Sequence, residues 1–124
     1  METLLYKKQP VTFINMKKVC DILYYDGPLL SHFTSDNENY LYYWVEVDIK
    51  FNRWLIFKIE NETLESYYKN EKSLRDLILN PIDDFLFCAD LDNMLTYSNV
   101  GIIYPQDLPK SYIPEEDSFF EDIL

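Results

Sequence analysis

The chain predicts an α+β fold: an antiparallel β-sheet meander with a short helical segment between strands and an acidic C-terminal tail. Three observations predict it. Apolar residues alternate with period two across Tyr40–Glu60, the period becomes helical after Glu60, and strand-like segments resume near Phe85 and Val100. Strands, then helix, then strands is the order of an α+β domain. At 124 residues the chain is long enough for one hydrophobic core. Residues 1–104 read as a single domain and residues 105–124 as an acidic tail broken by prolines.

Taken in order, Val11-Thr12-Phe13-Ile14 is a weak strand-like patch behind Pro10. A clearer strand runs from about Lys18 to Tyr25. Asp26-Gly27 is a turn dipeptide, and Pro28 reopens an extended segment to Thr34. Ser35-Asp36-Asn37-Glu38-Asn39 reads as a polar loop leading into the central hairpin.

In that hairpin Leu41, Tyr43, Val45, Val47 and Ile49 share one face of the first strand, and Leu55, Phe57 and Ile59 share the same face of the second. A one-residue slip would swap faces, so only alternate registers keep both apolar sets together. The register chosen places Lys50-Phe51-Asn52 as the loop, with Asn52 in the left-handed position that Asn tolerates. It pairs Trp44 with Lys58, Asp48 with Trp54 and Tyr42 with Glu60, and sets Lys58 over Trp44 in a cation–π contact.

After Glu60, Asn61 is expected to cap a helix carrying Leu64, Tyr67 and Tyr68, ended by Asn70. Ser73 opens a second helical turn or two with Leu74, Leu77 and Ile78 on one side, stopped by Pro81. Strands follow near Phe85–Ala89 and Val100–Tyr104.

The order Asp26-Gly27-Pro28-Leu29-Leu30-Ser31, Tyr42-Tyr43-Trp44, Arg53-Trp54-Leu55-Ile56-Phe57 and Ser73-Leu74-Arg75-Asp76-Leu77-Ile78 resembles an uncharacterised family of small bacterial domains. Those domains share DGPLL, YYW, RWL and SLRxLI strings in that order, covering about residues 20–82 here. None of the strings has a known catalytic meaning. The resemblance implies a bacterial or phage setting and no activity.

Composition narrows the function classes. Hydrophobic residues make up 48% of the chain and aromatic residues 17%, enough to order an acidic polypeptide. Gly27 and Gly101 are the only glycines, too few for a phosphate-cradling loop or a dinucleotide fingerprint. The net charge of −11 repels nucleic acid and anionic membrane, so direct binding to either is not expected. The same field favours encounter with a basic partner, and also serves solubility. Cys20 and Cys88 stand far apart among apolar neighbours, as two buried reduced thiols would, with a single disulfide the alternative. No signal peptide or membrane-spanning run is visible, so a cytoplasmic protein is expected.

Candidates for chemistry are few. His32 is the only histidine, which leaves no two-histidine metal site. A two-residue Asp26-Gly27 turn would set Asp21 opposite His32, with Ser31 on the other face, so a polar cross-strand pair is favoured over a relay. Asp83, Asp84, Asp90 and Asp92 flank one strand at roughly 20 Å, given about 3.3 Å per residue, and read as turn-forming acids. No metal, cofactor or catalytic residue is assigned.

The outward set Tyr40, Tyr42, Trp44, Trp54 and Ile56, joined by Arg53 at the hairpin mouth, is the candidate partner-binding surface. The N-terminal segment or the tail covering it is the alternative. Phe119 and Phe120, with Ile123 and Leu124, form a second candidate: an amphipathic acidic motif that docks on a partner or folds back on its own sheet. The expectation is a non-enzymatic protein-binding module: an inhibitor, antitoxin or immunity-type protein of bacterial or phage conflict, meeting a basic protein surface. The alternatives are an acidic nucleic-acid mimic and a small-ligand or nucleotide-binding domain.

Overall fold

Among the described residues the strands are β1 (Lys7–Lys8), β2 (Lys17–Tyr24), β3 (Pro28–Ser35), β4 (Glu38–Val47), β5 (Asn52–Ile59), β6 (Leu86–Leu91) and β7 (Tyr97–Ile103). They form one antiparallel sheet in the order β1-β7-β6-β5-β4-β3-β2. The computed structural model describes residues 7–8, 15–92 and 96–120; the patch Val11–Ile14 and the tail residues Ile123 and Leu124 lie outside them. From β2 to β7 each strand pairs with the next in sequence, as a meander does. Helices α1 (Asn61–Tyr68) and α2 (Leu74–Leu79) interrupt it between β5 and β6. The fold is α+β and mostly β.

The segment expected as a loop at residues 35–39 is tighter than its composition suggests. Ser35 pairs with Glu38, leaving Asp36 and Asn37 as a two-residue turn with φ of 49° and 68°. Asp and Asn tolerate that left-handed backbone, which matches the twist of the flanking strands. Both strands are longer as a result.

The central hairpin keeps its expected faces and changes its register. Tyr40 pairs with Lys58, Tyr42 with Ile56 and Trp44 with Trp54, so the predicted pairs Trp44–Lys58, Asp48–Trp54 and Tyr42–Glu60 do not form. The loop is Asp48–Phe51, closed by Asp48 N–H donating to the Phe51 carbonyl at 2.8 Å. Beyond Trp44 the ladder shifts by one residue, so that Glu46 faces Arg53 and Val47 faces Asn52. Such a bulge reverses the in–out alternation of everything past it. Val47, expected in the core, is exposed for that reason, and Ile49, also expected there, is exposed because it stands at the tip of the loop.

One face of the sheet carries the main core. Leu41, Leu55, Phe57, Leu86, Cys88 and Ile103 meet Leu64 and Tyr67 from α1 and Leu74, Leu77 and Ile78 from α2. At about 1.5–3 kcal/mol for each fully buried large side chain, this layer dominates hydrophobic stabilisation. Helix α1 starts one residue earlier than its composition suggests: Glu60 is the N-cap residue, and the Asn61 side chain accepts instead from Asn39 Nδ2. Helix α2 begins as expected. Ser73 Oγ accepts from Asp76 N–H, and the Asp76 carboxylate accepts from Ser73 N–H, both at 3.1 Å.

The tail joins this layer. Single 3-10 turns at Pro105–Asp107 and Lys110–Tyr112 deliver Leu108 and Tyr112 into the core. Leu74 N–H donates to the Ser118 carbonyl at 2.8 Å, and Arg75 Nη1 donates to the Pro114 carbonyl at 3.1 Å. Phe120 stacks edge-on against Tyr68, with ring centres 5.1 Å apart. Of the two arrangements open to the tail, folding back is the one adopted across residues 105–120.

Candidate functional site

Two connections, Tyr25–Gly27 and Asp48–Phe51, lie at one end of the sheet, the end at which β6 finishes beside Asp92. Both carry apolar side chains where turns normally carry polar ones. Ile49 is 97% exposed, Tyr25 81%, Tyr24 68% and Val47 60%. Gathered at one edge, they form an apolar rim of a kind that marks interaction surfaces.

The rim adjoins an aromatic groove on the sheet face opposite the helices. Trp44 and Trp54 are direct cross-strand partners, and Trp54 stands between Trp44 on β4 and Ala89 on β6. Both indoles are half-buried. One cavity of about 570 Å³ is walled by Tyr25, Pro28, Trp44, Val47 and Trp54. A second, of about 270 Å³, is walled by Lys18, Ser31, Phe33, Tyr42 and Trp54. Pro28, Asn52 and Trp54 line both, so the two are continuous.

Further along the same face the aromatic set closes up. Tyr42 is buried, its ring stacked on Phe33 at 4.0 Å and its hydroxyl hydrogen-bonded to that of Tyr97 at 2.6 Å. Burial, with the Tyr97 hydroxyl alongside, pushes the Tyr42 phenol far above its ordinary range. Tyr40 is half-buried beside it, and Ile56 is buried. Of the expected surface, Trp44 and Trp54 wall the groove and the buried Tyr42 floors its smaller half, while Tyr40, Ile56 and Arg53 are not part of its lining. Tyr24, Tyr25, Val47 and Ile49 had been missed. The doublet before Asp26-Gly27 was a usable signal, since turn-tip aromatics gain nothing from the core. Val47 was not findable without the bulge.

Arg53 is not at the hairpin mouth. It lies on the helix-side face, 7% exposed, beside a wholly buried Asp90. Nε donates to Asp90 Oδ1 at 2.7 Å and Nη2 to Oδ2 at 3.0 Å, a bidentate pair. Nη1 reaches Glu46 at 3.3 Å and the Tyr112 hydroxyl at 3.4 Å, and that hydroxyl donates to Glu46. Asn99, held at φ 50° where the β6–β7 ladder shifts, donates to Asp90 at 2.9 Å. The bulge that exposes Val47 thus also turns Glu46 toward Arg53. Arg53 binds this chain together.

The other polar candidates fall apart geometrically. Asp21 faces Ser31 and not His32, because the β2–β3 ladder is irregular at three places. Partial burial raises the Asp21 pKa, but the hydrogen bonds from Lys18 and Ser31 outweigh it and hold the carboxyl below its usual value. His32 Nε2 hydrogen-bonds to Asn39 Oδ1 at 2.8 Å. Asp90 is in the core, while Asp83, Asp84 and Asp92 are exposed. Phe119 and Phe120 are half-buried on the helix side, far from any shared surface with Trp44. Cys20, expected in the core, is exposed on edge strand β2; Cys88 is buried and neither is bonded to the other. At the opposite end of the sheet a polar cavity of about 480 Å³ is lined by Glu38, Glu60, Glu62 and Asp83. Among the described residues no group of three or more His, Cys, Asp or Glu is placed to hold a metal ion, and no helix is long and apolar enough to cross a membrane.

No protein-family model, curated protein or solved structure matches this chain.

Proposed function

We propose that this chain is a protein-binding module that works by occupying a partner's surface through the turn end of its sheet. The observation that carries the reading is the exposed rim of Tyr25, Val47 and Ile49 set against the half-buried Trp44–Trp54 pair. A Trp pair in a recess, ringed by apolar side chains, has the composition of an interface centre. The net charge of −11 selects basic partners and speeds their approach. Occupancy of this kind suits an inhibitor, antitoxin or immunity-type protein, and the motif order along the chain favours a bacterial or phage setting.

Site-directed photocrosslinking in the native host tests this. A photoreactive residue at position 25 or 49 is expected to capture a discrete partner, and one at position 62, at the opposite end, is not. Equal capture from both ends, or none from 25 and 49, would remove the reading.

A second reading is favoured by the groove itself, whose volume and aromatic walls fall within the range of small-ligand sites. A flat ring stacked on Trp54 would be its ligand. Thermal-shift screening against nucleosides and aromatic metabolites tests it, and no shift with any of them removes it.

A further inference from the structure

One polar group in the groove has a fixed direction and no acceptor among the described residues. An indole N–H only donates, so the Asn52 atom that Trp44 Nε1 meets at 3.0 Å is the amide oxygen. The Asn52 NH2 group is thereby turned away from Trp44, and its hydrogens have no acceptor among the described residues. Asn52 lines both halves of the groove. A donor held there between aromatic walls calls for an oxygen acceptor, because binding an apolar group over it would strip its water without replacement.

The charges around the groove select which acceptor. Asp26 lines the larger cavity, Asp92 the smaller, and Asp48 sits on the hairpin tip. Asp48 and Asp92 each accept from a nearby backbone N–H, of Ile49 at 2.6 Å and Thr96 at 2.9 Å. Among the described residues the cations nearby are Lys18, paired with Asp21 at 2.7 Å, and Lys50 on the hairpin tip. Three carboxylates at three separate turns disfavour an anionic acceptor and favour a neutral carbonyl flanked by positive charge. Asp26 at the β2–β3 turn and Asp92 at the end of β6 stand roughly three to four strand spacings of about 4.8 Å apart, a span that suits an extended polypeptide better than a compact ligand.

We propose that the groove takes a basic segment of a partner protein in extended form. One large apolar side chain seats against Trp44 and Trp54, and Asn52 Nδ2 donates to the neighbouring main-chain carbonyl. Flanking Lys or Arg side chains face Asp26, Asp48 and Asp92. This rests on reading the turn end as a partner surface, and adds the chemistry of what it meets.

The test selects a random dodecapeptide display library on the full-length protein, then measures the enriched peptides by fluorescence anisotropy against the parent and two variants. Asn52→Asp keeps the oxygen that accepts from Trp44, removes the donor and adds negative charge. If the carbonyl bond operates, enriched peptides carry one Trp, Phe or Leu among Lys and Arg, and Asn52→Asp weakens them about tenfold or more despite its added charge. Binding that is unchanged or tighter in Asn52→Asp overturns the proposal, as does enrichment of acidic peptides or of none. The double variant Tyr25→Ser/Ile49→Asp separates the two claims. If it abolishes binding while Asn52→Asp does not, the surface stands and the carbonyl contact falls. If neither variant changes binding, both fall. Circular dichroism confirms that each variant is folded.

Discussion

Arg53 and Asp90 sit directly opposite each other on β5 and β6 and close two hydrogen bonds with both side chains almost wholly buried. Removing one partner strands the other charge in the core. Arg53→Ala or Asp90→Ala should each lower stability by about 3–5 kcal/mol, whereas the double replacement Arg53→Met/Asp90→Leu should recover most of it. Urea unfolding of the three variants checks this. A double variant no better than the singles would show that packing at the site matters more than charge.

Tyr112 ties the tail to this pair and gives it a pH signature. Burial pushes its phenol up to about 12, the hydrogen bond to Glu46 adds to the rise, and Arg53 opposes it. An unfolded tyrosine titrates near 10, so between about pH 10 and about pH 12 the unfolded chain releases its proton first and stability falls as pH rises. Below about pH 10 the contribution is complete. Tyr112→Phe should be less stable near neutrality and lose stability less steeply through that window. Urea midpoints across the range measure both slopes.

The strand–helix–strand order and the two faces of the central hairpin were legible because period and parity are local properties. Val45 and Glu46 show where legibility ends. A single bulge there moves Val47 out of the core and Glu46 onto Arg53. Nothing in the local sequence marks it, since the reward is a long-range charge cluster with Asp90, Asn99 and Tyr112. Arg53 was misread for the same reason: its partner is 37 residues away. Trp44 and Trp54 were correctly placed on one face, opposite the Leu55 side. Which part of that face stays open depends on Phe33, Tyr97 and Ala89 from other strands, which no hairpin pattern reveals.

Residues 105–120 are expected to be part of the folding unit. A chain ending at Tyr104 loses the buried side chains of Leu108 and Tyr112, each worth about 1.5–3 kcal/mol. Limited proteolysis and urea unfolding should show a much weakened domain. A truncated chain as stable as the full one would mean the tail contacts contribute little.

The start of α2 offers a smaller, cleaner effect. Ser73→Ala removes one half of the Ser73–Asp76 capping box and should cost about 1 kcal/mol. Since Ser73 lies on the helix side, partner binding should be untouched when the variant is assayed well below its unfolding midpoint.

If the turn end of the sheet is a working surface, its exposed side chains matter for binding and little for folding. Tyr25 and Ile49 are 81% and 97% exposed, so Tyr25→Ser/Ile49→Asp should leave stability within about 0.5 kcal/mol of the parent. The most direct measurement is the affinity-tagged chain and this double variant recovered side by side from the native host, with bound proteins quantified. A partner should be present with the parent and depleted about tenfold or more with the equally stable variant. Equal recovery from both would contradict it.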